Sequence, residues 1–131
     1  MPNPLNPYLD RIYAVLRIVT GFLFAQHGAQ KLFGLLEGQQ ATAPRMLVAG
    51  TIEFFGGILI LLGLFTAPTA FLASGFMAFA YFLAHAPRGF WPILNRGELA
   101  ALYCFLFLFM AAHGGGHYSL DGVLGRKRLK K

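Results

Sequence analysis

The sequence predicts an all-α integral membrane protein, an antiparallel four-transmembrane-helix bundle. Three observations predict it. The 131 residues are 56% hydrophobic and 12% charged, about half the roughly 25% charge of a soluble domain. The apolar residues gather into four long runs separated by short polar connections, for which the bilayer is the natural solvent. Glycines recur inside those runs on shared helix faces: Gly21 and Gly28 are seven apart, as are Gly50 and Gly57. Small residues let helices approach closely where water supplies no drive.

Helices are expected over about 10–33, 46–65, 68–86 and 96–113, together one domain over 1–113. An interfacial segment and a basic cytoplasmic tail follow over 114–131. The first run has Pro7 just before it and Gly34 just after, a start and a stop. The N-terminus MPNPLNPYLDR has no basic leader, Arg17 interrupts the run and no small-residue cleavage site follows. The first span is therefore expected to stay in the membrane. The second, MLVAGTIEFFGGILILLGLFTA (46–67), carries one charge, Glu53. The third opens at Pro68 and ends before Pro87, and Thr66-Ala67-Pro68 reads as the tight turn between the two. The fourth has 14 strictly apolar residues, LAALYCFLFLFMAA (99–112). That is about 21 Å of helix against a hydrocarbon core of about 30 Å, so it must extend from near Arg96 to His113. GLLEGQQATAPR joins the first two spans, with a turn at Gly38. PRGFWPILNRGE joins the last two, and its Phe90 and Trp91 suit the interface.

Net charge is +6, and five of the eleven Lys and Arg lie in the last six residues, RKRLKK (126–131). Beside hydrophobic spans, such a patch points to anionic lipid headgroups rather than to nucleic acid. Arg11 and the tail place six cations on the side of the termini; Lys31, Arg45, Arg88 and Arg96 place four on the other. The positive-inside rule then puts both termini in the cytoplasm. The single cysteine, Cys104, allows no intramolecular disulfide and no CxxC centre, and reads as a small buried hydrophobe.

The ionisable residues inside the spans call for an explanation. At about 100° per residue, Arg17, Gly21, Phe24, Gly28 and Lys31 share one face of the first helix, with His27 at its edge. Arg17 lies deep enough to cost about 3 kcal/mol unless it snorkels or pairs with a carboxylate. Lys31 sits in the last turn, where a cation suits the helix dipole. Glu53 is too deep and too short to reach headgroups, so it must be protonated or paired, with Arg17, His27 or Lys31 as candidate partners. His85 ends the third span one turn after Tyr81. NRGE (95–98) reads as a capping box, Asn95 at the N-cap and Glu98 three residues on. Reading the spans in alternating directions brings His27, Lys31, Glu53, His85 and Glu98 to one end. This predicts a polar pocket between helices, opening away from the cytoplasm.

The runs GFLFAQHGAQKLFG (21–34), GTIEFFGGILILLGLFT (50–66) and AYFLAH (80–85), with YSLD (118–121), resemble the DoxX family of small bacterial membrane proteins. The resemblance covers nearly the whole chain. It implies a four-helix, multi-pass protein of the bacterial plasma (inner) membrane. It also implies kinship with subunits of quinone-linked sulfur-oxidising complexes, and it matches His27, Gly28, Lys31, Glu53, Gly57 and His85 to the family's recurring positions.

Two functions follow as expectations. One is a quinone-interacting subunit of a membrane redox system. Arg17, His27, Lys31, Glu53, Tyr81, His85 and Glu98 would line the ligand site; His27 or Lys31 would donate to a quinone carbonyl, and a protonated Glu53 would pass a proton. Glu53 and His27 are then the candidate catalytic groups. No flavin, dinucleotide or iron–sulfur fingerprint is present, so electrons would come from a partner subunit or a soluble donor. The other is a non-enzymatic membrane carrier, lipid or small-molecule binder, or assembly partner. So small a bundle is expected to form a homo-oligomer. Haem between His27 and His85 would rest on two histidines without other fingerprints, and no metal site is expected. His113 and His117 straddle three glycines and read as interfacial.

Overall fold

The computed structural model describes residues 3–128, with only the backbone at Arg128. Residues 129–131, which include two cations of the basic tail, lie outside the described part. The described residues form helices, turns and loops, with no strand among them. The chain divides into two compact units, one of Met1–Thr66 with Gly115–Lys131 and one of Ala67–Gly114.

In the first unit, a single 3-10 turn over Asn6–Tyr8 leads into α1 (Leu9–Phe33). Gly34 ends α1 in the left-handed conformation at φ 64°, its N–H bonded to Gln30 O. A cap of this kind favours a residue without a Cβ. Helix α2 (Pro44–Leu62) starts with Pro44 in its first turn and stops at Gly63, φ 67°. It therefore begins and ends earlier than 46–65, because Gly63 closes the helix before Leu64 and Phe65 can join it. The turn thus falls at Gly63–Phe65, not at Thr66–Pro68.

Helices α1 and α2 run antiparallel and touch backbone to backbone. A Cβ on Gly21 would lie 2.6 Å from Gly57 O, and one on Gly57 would lie 2.6 Å from Gly21 O. A Cβ on Gly28 would collide with Phe54 N and lie 2.6 Å from Gly50 O. The two glycine pairs are thus the seam. Tyr13, Arg17, Phe24 and Gly28 are buried on the same face of α1, while Val15, Val19 and Phe22 point outward. An apolar outward face is stable only in lipid.

In the second unit, α3 (Thr66–Ala80), whose first residue belongs to the other unit, gives way to a wide π turn over Tyr81–His85. Ala86 N–H reaches back five residues to Tyr81 O. Pro87, without an N–H, cannot continue the α ladder. A 3-10 turn over Ala86–Arg88 and a short helix α4 (Pro92–Asn95) follow. Helix α5 (Glu98–His113) packs Ala100, Tyr103, Phe107 and Met110 inward. Ser74 Oγ on α3 donates to Cys104 O on α5 at 2.7 Å, and Cys104 itself is half-buried.

Arg96, at φ 59°, terminates α4 rather than opening α5, so the expected start at 96 moves to Glu98. The segment 114–131 holds a further helix, α6 (Leu120–Arg128), where only an interfacial stretch and tail were expected. Its N-cap is Ser119, whose Oγ accepts from Gly122 N at 3.0 Å.

Asn6–Phe33, Pro44–Leu62 and Thr66–Arg88 are each long and apolar enough to cross a membrane. Glu98–His113 is apolar but shorter, about 24 Å along its axis.

Replacing Gly28 or Gly57 by leucine should force α1 and α2 apart at cost of about 2 kcal/mol or more. Gly75→Ala, whose Cβ meets nothing within 4 Å, should instead stabilise slightly, since glycine weakens a helix interior by about 0.5–1 kcal/mol. Unfolding midpoints in mixed detergent–SDS micelles measure both. Equal midpoints for the glycine seam variants and wild type would disprove the close packing.

Candidate functional site

Glu53 sits in the middle of α2 and Lys31 in the last turn of α1. The antiparallel seam brings them together. Lys31 Nζ lies 2.5 Å from Glu53 Oε1 and 2.6 Å from Oε2, so the ammonium binds both oxygens. The glutamate side chain is 7% exposed and the lysine 25%. Gly50 makes the approach: a Cβ there would lie 2.9 Å from Lys31 Cβ. Lys31 is thus a salt-bridge partner of Glu53. Desolvating two charges offsets much of their attraction, but leaving either one alone costs far more.

Arg17 does something else. It is 1% exposed, so it does not snorkel, and no carboxylate among the described residues bridges it. Its Nη1 donates to Ile60 O at 2.6 Å and Leu61 O at 2.5 Å, and its Nη2 donates to Tyr118 O at 2.8 Å. The Ile60 and Leu61 carbonyls lie at the end of α2, at the negative end of the helix dipole, and Ile60 O also accepts from Gly63 N at 3.0 Å. A guanidinium fork satisfies them and ties the chain at Tyr118 to the same point. Asp121 completes the clasp. Its carboxylate accepts from Phe65 N and Thr66 N, both at 2.8 Å, which caps the start of α3 as a side-chain N-cap does. Its own N–H donates to Gly63 O at 2.8 Å. Arg17 Nε and Thr66 Oγ1 have no hydrogen-bond partner among the described residues. Arg17 and Lys31 are fourteen residues apart on α1, about 21 Å. The basic stripe therefore does not serve one pocket: its inner cation closes a helix end, and its outer cation meets Glu53. His27, one turn before Lys31, is exposed.

The second unit, taken by itself, holds a polar centre around Asn95. Asn95 is completely buried. Its Nδ2 donates to Gly89 O at 2.8 Å and to the Tyr81 hydroxyl at 3.2 Å, and its Oδ1 accepts from Gly97 N at 2.8 Å. His85 Nδ1 lies 3.1 Å from Asn95 O. A carbonyl only accepts, so Nδ1 is the donor in this contact. The π turn sets Tyr81 and His85 side by side, with ring centroids 6.2 Å apart. The Tyr81 hydroxyl accepts from Asn95, so its own proton is available to a ligand. Tyr81 edges a cavity of ≈ 540 Å³ lined by Phe82, Pro87, Phe90, Trp91 and Pro92.

Glu98 is exposed as the first residue of α5, next to an N-cap at Gly97 that makes no side-chain bond. No capping box forms, because Asn95 spends its side chain on Gly97, Gly89 and Tyr81. Asn95 and Asp121 are the polar residues that sequence reasoning missed as organisers. Their signals were an Asn two residues before a glycine, which favours an Asx turn, and a Ser with an acidic residue in the following turn, which marks a helix start.

Lys31→Met or Glu53→Met alone should destabilise the fold by about 3–5 kcal/mol, and the Lys31→Met/Glu53→Met double variant by clearly less than their sum. Arg17→Met should cost at least as much and should free the C-terminal segment to proteolysis. Midpoints in SDS titration and limited proteolysis of the same variants measure these effects; strictly additive losses at Lys31 and Glu53 would mean the pair is not coupled.

The DoxX family profile matches residues 12–86. A Haemophilus influenzae protein described as uncharacterized is 44% identical over 133 residues, covering 95% of this chain and 99% of that protein. The Escherichia coli inner membrane protein YqjF is 34% identical over 122 residues, covering 86% of this chain and 92% of that one. No solved structure matches.

Proposed function

The chain belongs to the DoxX family of membrane proteins, and from that premise we propose that it is a quinone-interacting subunit of a redox system in the bacterial inner membrane. The observation that carries this reading is the bay beside Tyr81. Its ≈ 540 Å³ falls within the roughly 300–1,000 Å³ of small-molecule sites, and its mostly apolar lining with few polar groups is their usual chemistry. Flat aromatic walls suit a flat ring. The Tyr81 hydroxyl proton suits a ring carbonyl. His85, beside Tyr81 but not part of the bay's lining, would act next to the site rather than in it.

Reduction of a quinone takes up electrons and protons in equal number. The electrons would come from a partner subunit or a soluble donor. Glu53 is proposed to exchange the protons, with Lys31 on α1 as the cation paired with it. His27 would stand at the exposed side of the same helix.

The compartment is supported by the printed name of the Escherichia coli relative. Cytoplasmic termini are supported by six cations on their side against four on the other. We read Glu98–His113 as a fourth, short span; connections of a few residues between consecutive spans favour an antiparallel bundle. Self-association would shield so small a protein's apolar surface.

One observation favours a second reading, a non-enzymatic binder or carrier using the same bay. Lys31 already neutralises Glu53, so the glutamate needs no extra proton to be tolerated in lipid.

Trp91 is the single tryptophan of the chain and lines the bay, so it reports on occupancy. Titration with a short-chain quinone analogue should quench its fluorescence saturably, and Tyr81→Phe should weaken binding about three- to tenfold, the worth of one hydrogen bond. Equal affinity in Tyr81→Phe and wild type removes the site. Equal binding and equal quinol turnover in Glu53→Gln and His27→Ala removes their roles and leaves the second reading.

A further inference from the structure

We propose that a groove formed by the end of α2 and by α6 is a built site for the headgroup of an anionic phospholipid. The groove is ≈ 410 Å³, walled by Leu62, Tyr118, Leu120 and Val123, with His117, Ser119 and Arg126 on it as polar residues. The inference rests on the membrane reading of the chain and not on the quinone reading.

Three features point to a lipid rather than to a free anion. The first is the mixture of surfaces. Apolar walls reaching up to a guanidinium match an amphiphile: acyl carbons against Leu62 and Val123, a phosphodiester against Arg126. The second is depth. Leu62 is the last residue of a candidate span, so the groove opens where the chain leaves the hydrocarbon, at headgroup level. Tyr118, 51% exposed, is an aromatic of the kind that settles at that level. The third is charge. Arg126 begins the stretch that holds five of the chain's eleven Lys and Arg. The acid on α6, Asp121, is turned onto Phe65 N and Thr66 N and so does not compete for the guanidinium.

Arg126 is also aimed. Its Nη1 donates to His117 O at 3.2 Å and lies 3.2 Å from His117 Nδ1. One nitrogen is thereby anchored, and the rest of the fork is left for phosphate oxygens, which guanidinium groups bind in pairs. Helix α6 is itself fixed by the Asp121 and Arg17 clasp, so the cation stands on a rigid support and not on a loose tail. Anionic lipid of the cytoplasmic leaflet would then hold this end of the protein in place.

The test uses the full chain in neutral detergent, with native mass spectrometry of bound lipid. Phosphatidylglycerol should be retained over phosphatidylcholine about fivefold for the first lipid bound, the worth of one well-placed cation. Arg126→Gln should reduce that preference to near unity. Lys127→Gln, one residue on but outside the groove lining, should change it less than about twofold. Val123→Trp, which fills the groove, should lose the first lipid while its helix content by circular dichroism stays that of wild type. Equal effects of Arg126→Gln and Lys127→Gln would mean diffuse attraction and overturn the proposal. So would displacement of the lipid by inorganic phosphate at millimolar concentration, which would mark the site as one for a free anion. Unchanged retention in Val123→Trp would overturn it as well.

Discussion

A guanidinium buried where nothing but protein can solvate it governs the first unit. Arg17 has lost water on all sides, and three backbone carbonyls replace it. Those carbonyls have the complementary problem, since a helix that ends inside apolar surroundings leaves acceptors without donors. One residue on α1 resolves both deficits. Because it also holds Tyr118 O, the same contact fixes where the chain returns after Gly115, and Asp121 then reaches the first N–H groups of α3. The end of one helix, the start of the next and the docking of a third element all depend on it.

The seam explains why charges meet at the other end of α1. Backbones in contact at Gly21–Gly57 and at Gly28–Gly50 leave no freedom of register. Once the register is set, Lys31 must lie across Gly50 and reach Glu53. The ion pair is thus a consequence of the seam as much as its support. Lipid exerts no hydrophobic pressure between helices, so close contact of small residues and satisfied polar groups supply what a water-driven core supplies elsewhere.

Much of this was legible in the sequence. The spacing of seven between the glycines declared which faces of α1 and α2 would touch. Glu53, too deep to snorkel, required a partner on that face. What could not be read was the division of labour among the cations. Helical periodicity places Arg17 and Lys31 on one face but says nothing of what lies opposite each; that depended on Gly63 ending α2 four turns of α1 away from Lys31. Asn95 was misread for a similar reason. NRGE satisfies the pattern of a capping box, yet Arg96 in the left-handed conformation separates Asn95 from α5, and the side chain turns to Gly89 and Tyr81 instead. Local patterns fix which hydrogen bonds a residue can make, and tertiary competition decides which it does make.

The distribution of polar groups carries a last inference about how the molecule divides its tasks. Around Arg17 nearly every donor and acceptor is committed to backbone, so that cluster has little left to offer a ligand and acts as architecture. Around Tyr81 and His85 the commitment is partial. Asn95 consumes the Tyr81 oxygen lone pair and the His85 Nδ1 proton, and in doing so leaves the Tyr81 hydroxyl proton and the His85 Nε2 atom at neighbouring rings. A buried residue that orients two half-buried ones is how second-layer contacts prepare a binding group. An ordinary α-helix would lose its i→i−4 bond at Pro87, and the widened π turn, with Ala86 N–H on Tyr81 O, ends the regular helix ahead of the proline. The π turn thus coincides with two half-buried rings whose polar atoms are only partly committed, whereas the unpartnered atoms at the clasp, Arg17 Nε and Thr66 Oγ1, are sealed in the interior.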